Sequence, residues 1–377
     1  MKKILLLSIG ILSCLLSAKA QKSVDEQIRK LIISTITINN YYVDSVNTEK
    51  LVEDAIRGMI EKLDPHSAYS TAEQTKRLNE PLQGSFDGIG IQFNILDDTL
   101  MVIQTVTGGP SEKAGVMAGD RIISVGDTAI AGVKMPQEEI MKRLRGPRGT
   151  KAHLGIMRDG IDETIYIDVI RDKIPLNSVD AAFMVTPHTG LIRFSNFAAT
   201  TYEEVVEAIR KLKDQGMKNL ILDVTQNGGG FLQAAAEIAS ELLPKDDLIV
   251  YTQGRAIKPQ EFLSRGGNAF QDGKVIILVD EYSASAAEIL AGAVQDQDRG
   301  LVVGRRTFGK GLVQRPVDLP DGSMIRLTIA KYYTPSGRCI QKPYEKGKQQ
   351  EYRMDVINRF NHGELTNADS IHFPDSL

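Results

Sequence analysis

The chain has 377 residues, 42% of them apolar and 25% charged, with a formal net charge of -3. That composition is globular and long enough for two or three domains, which excludes disordered, collagenous and all-membrane classes. The 45 Lys and Arg offset the 48 Asp and Glu with no basic run, so nothing in the charge attracts nucleic acid. Cys14 and Cys339 are the only cysteines. Neither a disulfide framework nor a Cys-rich metal site can be built from them.

Residues 1–20 read as a secretory signal peptide. Met1-Lys2-Lys3 is the basic start, Ile4 to Ser17 the apolar stretch, and Ala18-Lys19-Ala20 the small-x-small cleavage site. A retained anchor is the alternative, but the stretch is shorter than the ~20 residues that span a bilayer. Lipoprotein cleavage before Cys14 is another, weakened by Leu12 where a small residue is usual. The expectation is export to the periplasm or cell envelope.

Residues 21–83 carry two amphipathic helical stretches, one with Ile28, Leu31 and Ile32, the other with Leu51, Ala55, Met59 and Ile60. Asp64-Pro65 closes the second. Too small to bury both faces, they are expected to pack on the main body or on a second subunit. From 84 to 172 short β-like runs appear, with helix candidates at 110–116 and 136–145, which suggests a small partly open barrel. From 173 to 345 the order becomes strand, helix, strand. Leu191–Phe194, Leu220–Val224, Val275–Val279 and Leu301–Gly304 alternate with helices at 202–213, 232–242 and 286–295. Near-continuous apolar strands of this kind form a sheet covered by helices. Residues 346–377 read as a polar, irregular tail.

Gly304 to Lys310 spells G-x-x-x-x-G-K, a nucleotide-loop pattern. Position 311 is Gly, so the hydroxyl that would ligate Mg²⁺ is missing, and the acidic strand precedes the loop instead of following it. Nucleotide hydrolysis is set aside.

Ser285 stands between the strand ending at Asp280 and the helix beginning near Ala286. With Glu288 three residues on, it satisfies a capping box, and most such serines are only caps. The same turn would also expose a hydroxyl at the positive end of a helix, where an alkoxide is favoured, with the Ala286 amide free to face an oxyanion. A nucleophilic serine needs a base. His66, His153, His188, His362 and His372 are scattered, and none has a recognisable catalytic setting. Lys310, between Gly309 and Gly311, is the better candidate. An exposed lysine, with pKa about 10.4, is almost wholly charged at pH 7, and burial that brings it to about 7.5 costs roughly 4 kcal/mol. The ordinary alternative is a solvated loop lysine.

Ser283 to Ala291, together with Thr307-Phe-Gly-Lys-Gly-Leu-Val-Gln314, resembles the C-terminal processing peptidases. These are exported serine proteases with a Ser-Lys dyad and a PDZ domain. The spacing from Ser285 to Lys310 matches the family's. So do Leu63-Asp64-Pro65-His66-Ser67-Ala68-Tyr69 and Tyr332 to Arg338 with Ile340-Gln341. The likeness covers roughly 50–345. It implies Ser285 as nucleophile, Lys310 as general base and Gln314 as the residue that orients the lysine. Asp223 to Gly230 resembles the family's D-L-R-x-N-P-G-G turn, with Thr225 and Gly228 departing from it. By that likeness Gly229 or Gly230 joins Ala286 in the oxyanion hole.

Phe86-Asp-Gly88-Ile89-Gly90-Ile91 is a glycine-apolar loop whose amides can capture a C-terminal carboxylate while the next strand edge pairs with the peptide. Pro110 to Gly126 resembles a PDZ domain. The expected fold is therefore α/β and multidomain, with an N-terminal helical segment, a PDZ domain and a crotonase-like α/β catalytic domain. The expected function is a serine endopeptidase of the cell envelope that needs no metal or cofactor. Its substrates are proteins or peptides with apolar C-termini, and the helical N-terminus makes a homodimer plausible. The rival is a PDZ scaffold that has lost catalysis.

Overall fold

The computed structural model describes residues 24–267 and 269–367, so the signal-peptide and Cys14 expectations lie outside the described residues. Residues 24–41 form helix α1, followed by α2 (Thr48–Glu61), which Asn47 caps by accepting the Lys50 amide. β1 (Ala68–Ser70) then leads into α3 (Ala72–Gln83), which a Thr71–Gln74 capping box starts and a left-handed Gly84 ends. Helix α3 had no counterpart in the sequence reading, because it has no buried residue and carries Pro81.

The next domain hangs on a two-stranded ribbon, β2 (Ser85–Gly88) paired antiparallel with β9 (Asp172–Pro175). Between them lie β3 (Ile91–Leu96), β4 (Thr99–Thr105), α4 (Pro110–Ala114), β5 (Arg121–Val125), β6 (Thr128–Ala129), α5 (Gln137–Leu144), β7 (Lys151–Met157) and β8 (Ile165–Ile170). The sheet order is β3-β4-β5-β7-β8, with β6 beside β5, so β3 is an edge. Leu100, Ile122, Ile140, Leu144, Leu154 and Ile156 fill one core between sheet and helices. Both helix candidates and the small-barrel expectation agree with this arrangement.

The second body is a sheet ordered β10-β11-β12-β15-β16: β10 (Val179–Thr186), β11 (Thr189–Phe194), β12 (Asn219–Asp223), β15 (Lys274–Val279) and β16 (Leu301–Gly304). The last four are parallel, and β10 is an antiparallel edge. Helices α6 (Thr201–Asp214), α7 (Leu232–Leu242) and α8 (Ala286–Asp296) cover it. Phe194, Ile209, Leu222, Ile238, Ile277 and Leu290 are all essentially fully buried between the layers. A second sheet, ordered β1-β18-β13-β14 with β17 beside β18, packs against α8. It is made of β13 (Leu248–Gln253), β14 (Gln260–Leu263), β17 (Leu312–Asp318) and β18 (Met324–Tyr333), besides β1. Its mixed, half-buried strands alternate too weakly to be legible beforehand.

The expected irregular tail is corrected over part of its length. Gln349–Asn361 form helix α9, whose only buried residues are Tyr352 and Arg359. A helix without an apolar stripe leaves no periodicity to read.

Phe194 is fully buried and packs edge-on against Phe197 with ring centroids 5.1 Å apart. Phe194→Ala is expected to cost about 3–5 kcal/mol in urea denaturation, whereas Phe183→Ala, on the exposed face of β10, costs under about 1 kcal/mol.

Candidate active site

Three neighbouring parallel strands end on the same edge, and each hands the chain to a loop of the candidate site. β12 and β15 are in register to Asp223 and Leu278, and β15 and β16 to Val279 and Gly304. The carboxyl edge of such a sheet is where α/β folds gather ligands. Here it gathers the glycine turn at 224–230, the serine turn at 280–285 and the lysine loop at 305–311.

These loops are stitched together by hydrogen bonds. Asp280 accepts from the amides of Gln226 and Ser283 (both 2.9 Å) and of Tyr282 (3.0 Å). The Ser283 hydroxyl donates to the Val224 carbonyl (2.7 Å), and the Ala284 amide to the Asn227 carbonyl (2.9 Å). The Phe308 amide reaches the Ser283 carbonyl (3.0 Å).

Ser285 is half-buried at the start of α8, with φ +56° and ψ -112°. A non-glycine residue there stores on the order of 1–3 kcal/mol, a cost that folds retain where a side chain must be presented in one direction. The buried Glu288 carboxylate holds the turn. Oε2 accepts from the amides of Ser285 and Lys310 (both 2.8 Å), while Oε1 accepts from Gly309 N and Thr307 Oγ1 (both 2.7 Å). Burial pushes this carboxyl's pKa up, against the four hydrogen bonds that hold it down. One oxygen thus joins the backbones of the expected nucleophile and the expected base.

Lys310 is half-buried, and its amine makes no hydrogen bond or ion pair among the described residues. Burial lowers its pKa, Arg326 on β18 lowers it further, and Glu288 opposes both. Gly309 provides φ +82°, which bends the loop. Gly311 is a glycine for another reason: a Cβ there would stand 2.3 Å from the Gln341 amide nitrogen.

Gly229 presses on the serine turn. A Cβ on it would lie 2.8 Å from Ser285 Cβ and 2.9 Å from the Ala286 nitrogen. The Gly229 amide donates to Asn227 Oδ1 (2.9 Å), and the Gly229 carbonyl accepts the Phe197 amide (3.0 Å). The amides of Gly230 and Ala286 take no such partner among the described residues.

Gln314 lies on β17, where its side-chain amide donates to the His66 carbonyl; no hydrogen bond joins it to Lys310. His66 is the neighbour that the sequence reading missed. The β1–β18 pairing (Ala68 opposite Arg326) carries the Asp64–Ser67 turn onto the lysine loop. Asp64 organises that turn, accepting from the amides of His66 (2.9 Å) and Ser67 (2.8 Å) and from Thr328 Oγ1 (2.9 Å). The Leu63–Tyr69 motif was the available signal, read for its likeness and not for its histidine. Burial first, then Lys310, lower the His66 pKa to about 4.

In the PDZ-like domain Ile89 is buried, and Gly90 adopts φ +73° with Ile174 Cδ1 at 2.9 Å from where a Cβ would stand. The Gly88–Ile91 loop therefore opens directly into the free edge of β3, with Ile91 and Phe93 packed on the α5 core. Among the described residues no group of three or more His, Cys, Asp or Glu could hold a metal, and no helix is long and apolar enough to cross a membrane.

The lowered His66 pKa has a signed consequence. Between pH 6.5 and about 4 the unfolded chain takes a proton there that the folded chain refuses, so stability falls as the pH drops through that window. His66→Gln removes this loss, on the order of 2 kcal/mol after solvent screening. Tm measured at pH 7.5 and 4.5 is expected to fall less for the variant than for the wild type.

Family models match along the chain: Peptidase family S41 over residues 188–349, PDZ domain over 88–169, and Activating protease CtpB N-terminal domain over 13–74. A carboxy-terminal-processing protease of Bartonella bacilliformis is 36% identical over 309 residues, covering 81% of this chain and 70% of that one. The carboxy-terminal processing protease CtpB of Bacillus subtilis is 34% identical over 329 residues, covering 86% and 68%. Among solved structures, a photosystem II D1 C-terminal processing protease aligns at 28% identity and TM-score 0.46, over 84% of this chain and 85% of that one. The chain therefore belongs to the carboxy-terminal processing protease family: it is a protease with an S41 peptidase domain, a PDZ domain and an N-terminal helical segment.

Proposed function

We propose that the protein is a serine endopeptidase of the cell envelope that recognises proteins by apolar C-termini and cleaves them through Ser285 and Lys310. The observation that carries this reading is the shared Glu288 oxygen, which binds the backbone of both residues.

In this mechanism the Lys310 amine is neutral at rest. It takes the Ser285 hydroxyl proton as Oγ attacks the peptide carbonyl. The carbonyl π electrons move to oxygen, giving a tetrahedral oxyanion that the amides of Ala286 and Gly230 receive. Gly230 is preferred to Gly229, whose N–H is engaged by Asn227. The Lys310 ammonium then returns its proton to the leaving amine as the C–N bond breaks, and water, deprotonated by the same amine, hydrolyses the acyl-enzyme. Gln314 orients the lysine indirectly, by fixing the His66 turn beside it. The Gly88, Ile89, Gly90 and Ile91 segment receives the substrate's C-terminal carboxylate, and the β3 edge pairs with the residues before it. Helix α1 leaves Ile28, Leu31, Ile32 and Ile36 about half exposed, which supports a homodimer through this helix.

With fluorescein-labelled casein as substrate, Ser285→Ala and Lys310→Ala are each expected to reduce cleavage by on the order of 10³-fold or more. Cleavage that survives either change would falsify the dyad, and no cleavage by any version, wild type included, would favour the scaffold.

Activity should rise with pH as Lys310 loses its proton. Arg326 lowers the Lys310 pKa, so Arg326→Gln raises it and moves the rising limb of kcat/KM to higher pH. An unmoved limb counts against Lys310 as the titrating base.

A further inference from the structure

We propose that α9 is a clamp on the lysine loop and that Arg359 and Tyr352 are positioning residues for Lys310. The proposal rests on the Ser285–Lys310 reading above.

Arg359 is only 4% exposed, although it is an arginine on a helix with no apolar stripe. Its guanidinium reaches the Arg306 carbonyl (2.6 Å) and the Thr307 carbonyl (3.4 Å), and Nε donates to Glu364 (2.9 Å). Glu364 in turn takes two hydrogen bonds from Arg306 (2.9 and 2.6 Å). The upstream arm of the loop is therefore held through its backbone. A planar fork that satisfies carbonyls in this way is specific to their positions, unlike apolar packing.

Tyr352 holds the downstream arm. The Gly311 amide donates to Gln341 Oε1 (3.0 Å), and Gln341 Nε2 donates to the Tyr352 hydroxyl (3.1 Å). The same hydroxyl shares a hydrogen bond with His66 Nε2 (2.7 Å). The Tyr352 ring packs edge-on against His66 and Phe308, with centroids 5.2 and 6.0 Å away. Lys342 lies over the rings of Phe308 (4.1 Å) and Tyr352 (4.2 Å) and pairs with Asp355 (2.8 Å).

Both buried side chains of α9 are thus spent on the residues flanking Lys310. The ionisable groups around that amine come from every neighbouring element: Glu288 from α8, Arg326 from β18 and His66 from the turn before β1. Lys342 and Asp355, paired to each other, lie further out, against the Phe308 and Tyr352 rings. Loosening the clamp lets water reach the amine, so its pKa returns toward the ordinary lysine value and a smaller neutral fraction is left at pH 7.

The experiment is a kcat/KM profile from pH 6 to 10 on the full chain, with fluorescein-labelled casein, for Arg359→Met, Tyr352→Phe and Lys310→Ala. Arg359→Met keeps the buried stem but loses the fork. Tyr352→Phe keeps the ring but loses the hydroxyl, so it guards against a variant that merely fails to fold. Both are expected to lose activity at pH 7, about tenfold for Arg359→Met, and to recover toward wild-type rates near pH 10, the limb moving up by about one pH unit. A uniform loss at all pH values, or an unmoved limb in both variants while Lys310→Ala is inactive, overturns the clamp and leaves the dyad standing. A fully active Lys310→Ala overturns both.

Discussion

The architecture turns on one carboxylate. Glu288 sits one turn into α8 and out of water, with four donors filling its two oxygens. Burying a carboxylate is costly unless its lone pairs are satisfied, so the fold must deliver all four donors together. Two of them are the backbone amides of Ser285 and Lys310. The requirement to satisfy one buried acid thereby fixes the separation of two residues 25 positions apart in the chain. The charge left on that acid also opposes the desolvation of the lysine amine, and Arg326 offsets it from the other side.

The remaining motifs are anchors for this arrangement. The Asp64 turn docks on β18 through Thr328 and brings His66 against the lysine loop. At the far end of α8, Asp296 accepts from the amide and hydroxyl of Ser336 and from Arg338, so the segment after β18 grips the helix that begins after Ser285. Gln341 ties the same segment to Gly311. Motifs far apart in sequence are thus ends of one network around a single loop cluster.

Legibility in the sequence followed the strength of the local signal. The parallel strands around Leu222 and Ile277 have unbroken apolar interiors and could be placed within a residue or two. Ser285 and Lys310 stood out because the likeness supplied their roles, while the residues alone left both as ordinary. Glu288 was visible as a helix-cap partner, but its bonds to Thr307, Gly309 and Lys310 are tertiary and leave no local trace. Helix α9 and the sheet around β18 were invisible for a related reason. The buried positions of α9, Tyr352 and Arg359, are aromatic and charged, and most of β18 is only half-buried, so neither follows a clear hydrophobic period. The likeness left Gly229 and Gly230 as equal candidates, and the Asn227 side chain, which takes the Gly229 amide, is a distinction that the sequence pattern alone does not carry.

The ribbon of β2 and β9 brings the two ends of the PDZ domain side by side, with Ser85 opposite Pro175 and Gly88 opposite Asp172. The domain is accordingly an insertion whose entry and exit strands leave the body together, and ion pairs between α3 and the α5 region (Arg77–Glu138, Lys142–Glu73 and Arg145–Glu80) join it to the helix that precedes the ribbon. Any displacement of this module must break those ion pairs but leaves the protease chain path intact, since β1 before it and β10 after it are each anchored in the catalytic body.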